Sequence, residues 1–139
     1  MRKIFMIALS CILFSCSSDD SEPDVEGIGI DPELNIYEYT FSNQGDSIEV
    51  YSTIGSGIWP IYIGDEADYP EVMTYPQPSE VLKRGFDGGW YSAYFPMGIP
   101  AYNIIVIKVE PNDTGNERTV PISIEAGDYF CKTKFVQEK

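Results

Sequence analysis

The clearest alternation of apolar and polar positions lies in residues 104–137. Ile105, Ile107 and Val109 share one face of a strand, and Val120, Ile122 and Ile124 share one face of the next. Cys131, Thr133 and Phe135 then alternate with Lys132 and Lys134 in a last strand. A side-chain period of two is the mark of a half-buried strand. Pro111–Glu117 and Gly127-Asp128 supply the turns, with Gly115 free to take a positive φ and Asn112 or Asp113 able to cap the bend. The pattern predicts a three-stranded meander.

Upstream, residues 36–41 alternate with Tyr37, Tyr39 and Phe41 on one face, and residues 47–53 alternate with Ile48 and Val50 inward. Asn43-Gln-Gly-Asp between them predicts a hairpin. Gly55-Ser-Gly57 breaks the chain, and residues 58–63 place Trp59, Ile61 and Ile63 on the core face, with Pro60 marking an edge or a bulge. Residues 90–95 read as another strand, in which Trp90 belongs equally well to either face. Between Gly64 and Gly89 the alternation fails, and Gly and X-Pro steps predict a long irregular connection. Within it, residues 80–84 suit a short strand or a helical turn. Connections of that length are often functional. Short strands punctuated by turns predict an all-β domain, an antiparallel β-sandwich of about seven or eight strands.

The amino end follows different rules. Met1-Arg-Lys is a positive n-region, and residues 4–14 are apolar apart from Ser10 and Cys11. That is too short to span a bilayer and predicts a signal peptide over residues 1–15. Leu13-Phe14-Ser15-Cys16 resembles the bacterial lipobox, which implies lipidation of Cys16. Acyl chains on that thiol contribute about 0.8 kcal/mol per buried CH₂, so two or three anchor stably. Residues 16–33, polar and acidic, read as a flexible tether, and residues 34–139 as a single domain. The acidic run behind Cys16 resembles the export signal of Bacteroidetes surface lipoproteins, which implies an outer-membrane protein facing the exterior. With Cys11 and Cys16 accounted for, Cys131 has no disulfide partner.

Charge and composition exclude several functions. The chain has 139 residues and a net charge of −13, and no Lys or Arg falls between Ile4 and Leu82. Such a surface repels phosphate backbones, so nucleic acid is not an expected partner. There is no histidine, which removes Ser-His-Asp and Cys-His catalysis and His-ligated metal sites. Asp65-Glu66-Ala-Asp68 lacks the spacing of a calcium loop. No catalytic residue, metal or cofactor is expected.

Residues 104–137, with Pro111-Asn-Asp-Thr-Gly, Arg118-Thr119, Gly127-Asp-Tyr-Phe and Val136-Gln137, are similar to the C-terminal half of a BACON domain (Bacteroidetes-associated, carbohydrate-binding, often N-terminal). Residues 41–50 followed by Trp59 resemble that family's opening hairpin and tryptophan. The resemblance implies an immunoglobulin-like sandwich and a carbohydrate-related role. Sugar rings stack on aromatic faces, with polar groups nearby for the hydroxyls. Tyr69, Tyr75, Trp90 and Tyr91, in or beside the irregular region, are the candidate ligand-binding residues, for a carbohydrate or mucin glycan. Trp59 is expected in the core. The alternative function is a protein-interaction or structural subunit of an outer-membrane assembly, joined through an exposed strand edge.

Overall fold

The structure is a computed structural model describing residues 29–75, 83–97 and 102–139. It is all-β. Among the described residues lie eleven strands and one 3₁₀ turn at Glu66–Asp68, and no α-helix. The strands are β1 (Glu38–Phe41), β2 (Asp46–Tyr51), β3 (Trp59–Tyr62), β4 (Glu71–Tyr75), β5 (Lys83–Asp87), β6 (Tyr91–Tyr94), β7 (Ile104–Val109), β8 (Arg118–Thr119), β9 (Ile122–Ala126), β10 (Tyr129–Phe130) and β11 (Lys134–Gln137). They form a five-stranded sheet, β2-β7-β6-β5-β4, and two three-stranded sheets, β1-β11-β8 and β10-β9-β3.

The inward residues of all three sheets meet in one buried cluster. Ile48 and Val50 of β2, Ala93 of β6 and Ile105, Ile107 and Val109 of β7 come from the large sheet. Phe41 of β1, Phe135 of β11 and Ile122 and Ile124 of β9 come from the small ones. Burying one such side chain fully contributes about 1.5–3 kcal/mol, so this cluster outweighs any single polar contact. The alternation in residues 104–137 therefore identifies the buried faces of β7, β9 and β11.

It does not identify their partners. These strands belong to three different sheets rather than to one meander. The chain leaves β8 at Val120-Pro121, and Pro121 has no N–H with which to continue a ladder. The predicted hairpin of residues 36–53 is also corrected. β1 runs parallel to β11, Tyr39 facing Phe135, while β2 pairs antiparallel with β7, Ile48 facing Ile107. The turn between them, with Gly45 at φ 84°, carries the chain from one sheet to another. Alternation specifies which face is buried, and a turn fits either outcome.

Two further expectations change. Trp59 is 41% exposed, not core, and stacks on Tyr102 at 6.2 Å. The parity of β3 is the reverse of that expected: Ile58 and Pro60 are buried and Ile63 is exposed. An edge position suits Pro60, since β3 pairs only with β9 among the described residues. The region 64–89 is more regular than expected, because β4 and β5 form an antiparallel pair, Val72 facing Phe86.

A polar layer fixes the connections. The buried Asn112 side chain donates to the carbonyls of Asn116 and Glu138, both at 2.7 Å, and accepts from Thr114. This Asx arrangement, with Gly115 at φ 73°, closes the turn before β8. Near the amino end, the Tyr37 and Tyr129 hydroxyls donate to the Asp31 carboxylate at 2.6 and 3.2 Å, and Ser52 donates to the Pro32 carbonyl at 2.6 Å. Residues 31–33 thus lie against the domain.

Candidate functional site

An open cleft of about 620 Å³ lies where the end of β3, the segment 63–70, the start of β4 and the β5–β6 turn meet. Tyr62, Tyr69, Trp90 and Tyr91 supply its aromatic surface, and Asp65, Asp68, Glu71 and Asp87 its carboxylates. Pro121, at the break after β8, completes the wall.

Each aromatic residue is held by its element. Tyr62 ends β3, and its hydroxyl donates to the Asp65 carbonyl at 3.1 Å. A side chain on Gly64 would occupy the Tyr62 phenol, so only glycine lets the chain turn back over that ring. Tyr69 follows the 3₁₀ turn, is 56% exposed and packs edge-on against Tyr62 at 5.2 Å and Phe86 at 6.0 Å. It is the most accessible aromatic face in the cleft. Trp90 precedes β6 and is half-buried, because the Arg118 guanidinium lies 3.9 Å over its ring. Arg118 is itself fixed: Nε donates to Gln137 Oε1 at 2.9 Å, and Nη2 to the carbonyls of Glu110 and Pro111 at 3.0 and 3.2 Å. The Trp90 carbonyl accepts from the Glu110 N–H at 2.8 Å.

Tyr91, the first residue of β6, is only 5% exposed and meets Trp90 edge-on at 4.9 Å. It cannot act as a stacking platform, and its contribution is its hydroxyl. That hydroxyl lies against Gly88, where an added Cβ would enter the ring, and faces the cleft with no hydrogen-bond partner among the described residues. Burial, followed by the charges of Tyr62, Asp68 and Asp87, pushes the Tyr91 pKa up to about 12. The phenol keeps its proton and can both donate and accept.

The structure thus brings together three of the residues expected from sequence, Tyr69, Trp90 and Tyr91. Tyr75 closes β4 opposite Lys83, and its side chain lies outside the described part, as does Cys16. Sequence reasoning missed Tyr62, whose strand was given the opposite parity. It also missed the exposed indole of Trp59, which lines a separate groove of about 370 Å³ with Gly29, Ile30, Ala126 and Asp128. Among the described residues, no group of three His, Cys, Asp or Glu side chains is placed to hold a metal ion. Nor is any helix long and apolar enough to cross a membrane.

No family model and no curated protein matches the chain. Among solved structures it is similar to the NMR structure of a protein from Bacteroides thetaiotaomicron, with a TM-score of 0.52 and 24% identity. The match covers 85% of this chain and 93% of that one. At this identity the likeness concerns the fold.

Proposed function

We propose that this protein is a non-catalytic lipoprotein, anchored through Cys16 at the outer membrane and facing the exterior, that binds glycan in the cleft around Tyr69, Trp90 and Tyr91. The observation that carries the reading is the convergence of these three aromatic residues, drawn from separate segments, on one cleft of about 620 Å³. A cavity of that size suits a short saccharide. The exposed Tyr69 ring offers a stacking face, and the Tyr91 hydroxyl and four carboxylates offer partners for sugar hydroxyls. The fold under this reading is an immunoglobulin-like sandwich of the BACON type, the five-stranded sheet forming one layer and the two short sheets the other. Support comes from the single core shared by all three sheets and from the resemblance of residues 104–137.

A glycan array probed with the purified full chain tests the proposal. The Tyr69→Ala change removes the exposed ring and only edge contacts, so Tm should move by no more than about 4 °C. Binding that disappears in that variant supports the reading. Absence of glycan binding, or binding that Tyr69→Ala leaves intact, refutes it.

The second reading, a protein-interaction subunit, has one observation in its favour. Among the described residues β4 is paired on one side only, with Glu71, Val72 and Thr74 exposed. The opposite edge, β2, is less available: the Asn35 side chain accepts from the Tyr51 N–H at 2.7 Å and donates to the Glu49 carbonyl at 3.0 Å. Strand addition would therefore use β4. Crosslinking on intact cells that captures a stoichiometric protein at β4 favours this reading over the first.

A further inference from the structure

The cleft is strongly one-sided in charge. Asp65, Asp68, Glu71 and Asp87 line it, and among the described residues no Lys or Arg does. The adjacent cation, Arg118, does not neutralise them: its Nε and Nη2 bond Gln137 and the carbonyls of Glu110 and Pro111, while its guanidinium covers Trp90. Among the described residues the one side-chain ion pair joins Lys108 to Glu110, outside the cleft. Four carboxylates along one cleft give it a negative potential, which favours a cation entering it.

A second observation is independent of the acids. The Tyr91 side chain is more than nine-tenths buried, yet its hydroxyl has no hydrogen-bond partner among the described residues. It is open to the cleft beside Gly88, close to Asp68 and Asp87. The hydroxyl is reached from the cleft and carries no protein partner among the described residues, so a ligand atom can bond it there. A phenol can accept from an amine or hydroxyl and donate to a sugar oxygen.

We propose that the cleft selects saccharides bearing free amines, seating an ammonium among Asp65, Asp68 and Asp87 while the sugar ring lies on Tyr69 and a polar substituent bonds the Tyr91 hydroxyl. This rests on the glycan reading of the same cleft and narrows it to cationic, amino-sugar chains. N-acetylation of the ligand removes the charge and weakens binding. Uronic, sialylated or sulfated chains are repelled, so acidic mucin chains are poor ligands. The face of Trp90 under Arg118 takes no part, since that cation already occupies it.

Calorimetry on the purified full chain provides the test. The probes are a β-1,4-linked glucosamine tetrasaccharide, its fully N-acetylated counterpart and a tetralysine peptide, at about pH 6, where the amines are protonated. The expected result is a lead of about tenfold for the amine form at low salt, since one ammonium meets several carboxylates. That lead shrinks as salt rises from about 20 to about 300 mM. It disappears in Asp68→Asn/Asp87→Asn, two exposed positions at which Asn keeps a side-chain oxygen for the turn, with melting curves as the control for folding. Equal binding of the two tetrasaccharides, or a lead insensitive to the double change, overturns the amine selectivity and leaves the glycan reading standing. Tetralysine binding without either saccharide overturns the amino-sugar proposal in favour of a basic peptide ligand, and no binding by any probe overturns it too, the glycan reading being decided by the array.

Discussion

Replacing Gln137 by Met probes how the last strand holds the wall of the cleft. Gln137 is 0% exposed. Its Nε2 donates to the carbonyls of Ser42 at 2.9 Å and Glu110 at 3.0 Å, and its Oε1 accepts from Arg118 Nε at 2.9 Å. One side chain thus ties β11 to the β1–β2 turn, to the end of β7 and to the cation that covers Trp90. Met has nearly the same length and no hydrogen-bonding amide, so the change removes three bonds without opening a large cavity. A neutral bond contributes about 1 kcal/mol net, and one to a charged group about 1.5–3 kcal/mol. Two facts reduce the sum. The Glu110 carbonyl keeps the Arg118 Nη2 donor, and Arg118 is partly exposed, so its freed Nε finds water. The expected loss is about 2–3 kcal/mol out of a total of about 5–15 kcal/mol for a domain. Urea unfolding at neutral pH should show a midpoint lowered by about 1–2 M at unchanged slope.

The same substitution has a consequence at the cleft. Without Gln137 Oε1 the guanidinium keeps only its bonds to two carbonyls, and its seat over Trp90 loosens. The chain has two tryptophans, so in a Trp59→Phe background the emission of Trp90 alone reports on that seat. Gln137→Met should change it and should couple to Arg118→Met by at least about 1 kcal/mol in a double-mutant cycle. A loss below about 1 kcal/mol for Gln137→Met, or strict additivity of the two changes, refutes this network.

Two further outcomes follow from the packing. Burial, then the charge of Asp31, raises the Cys131 thiol from 9.0 to about 11, and burial raises Tyr37 and Tyr91 from 10.0 to about 12. The folded state holds these protons more tightly than the unfolded chain does, so their stabilisation is complete below about pH 9 and is lost as pH climbs from there toward 12. Tm should fall between about pH 9 and pH 11, and a flat Tm across that interval refutes the assignment. Gly88→Ala drives a methyl group into the Tyr91 ring, which should cost about 1–3 kcal/mol and weaken saccharide binding; an unchanged melting curve refutes the close contact.

The sequence was most legible where side-chain identity alone decides burial. Ile48, Val50, Ile105, Ile107, Val109, Ile122, Ile124 and Phe135 lie in the core as the period-two pattern requires. Pairing was not legible, because alternation reports a face and carries no information about which strand lies alongside. β1 and β2 illustrate this: each is a correct strand, and their hairpin is wrong. Trp59 failed for a different reason. Its large apolar surface argues for burial, yet the edge strand turns the smaller Pro60 inward and leaves the indole outside, over Tyr102. Gly85 concealed β5, since it reads as a turn residue. In the structure it sits within the strand, where an added Cβ would press on the Ala93 carbonyl and the Tyr94 side chain of β6.

The features that erased the pattern over 64–89 are the ones that build the cleft. Gly64 and Gly88 interrupt any strand period, and each is the place where a tyrosine ring lies directly on backbone. A side chain at either position would displace Tyr62 or Tyr91. The carboxylates follow the same logic: Asp65 precedes the 3₁₀ turn and Asp68 ends it, and Asp87 caps the Gly89 N–H at 2.8 Å in the tight β5–β6 turn. Turn chemistry thus supplies both the bends and the acidic rim. It could not by itself say that the segment 63–70 and the β5–β6 turn would face each other across one cavity. That juxtaposition comes from the regular strands, because β9 positions β3 and β7 positions β6. The part of the chain that is easiest to read fixes where the least readable part must go, and the aromatic residues come to line one cleft only through that placement.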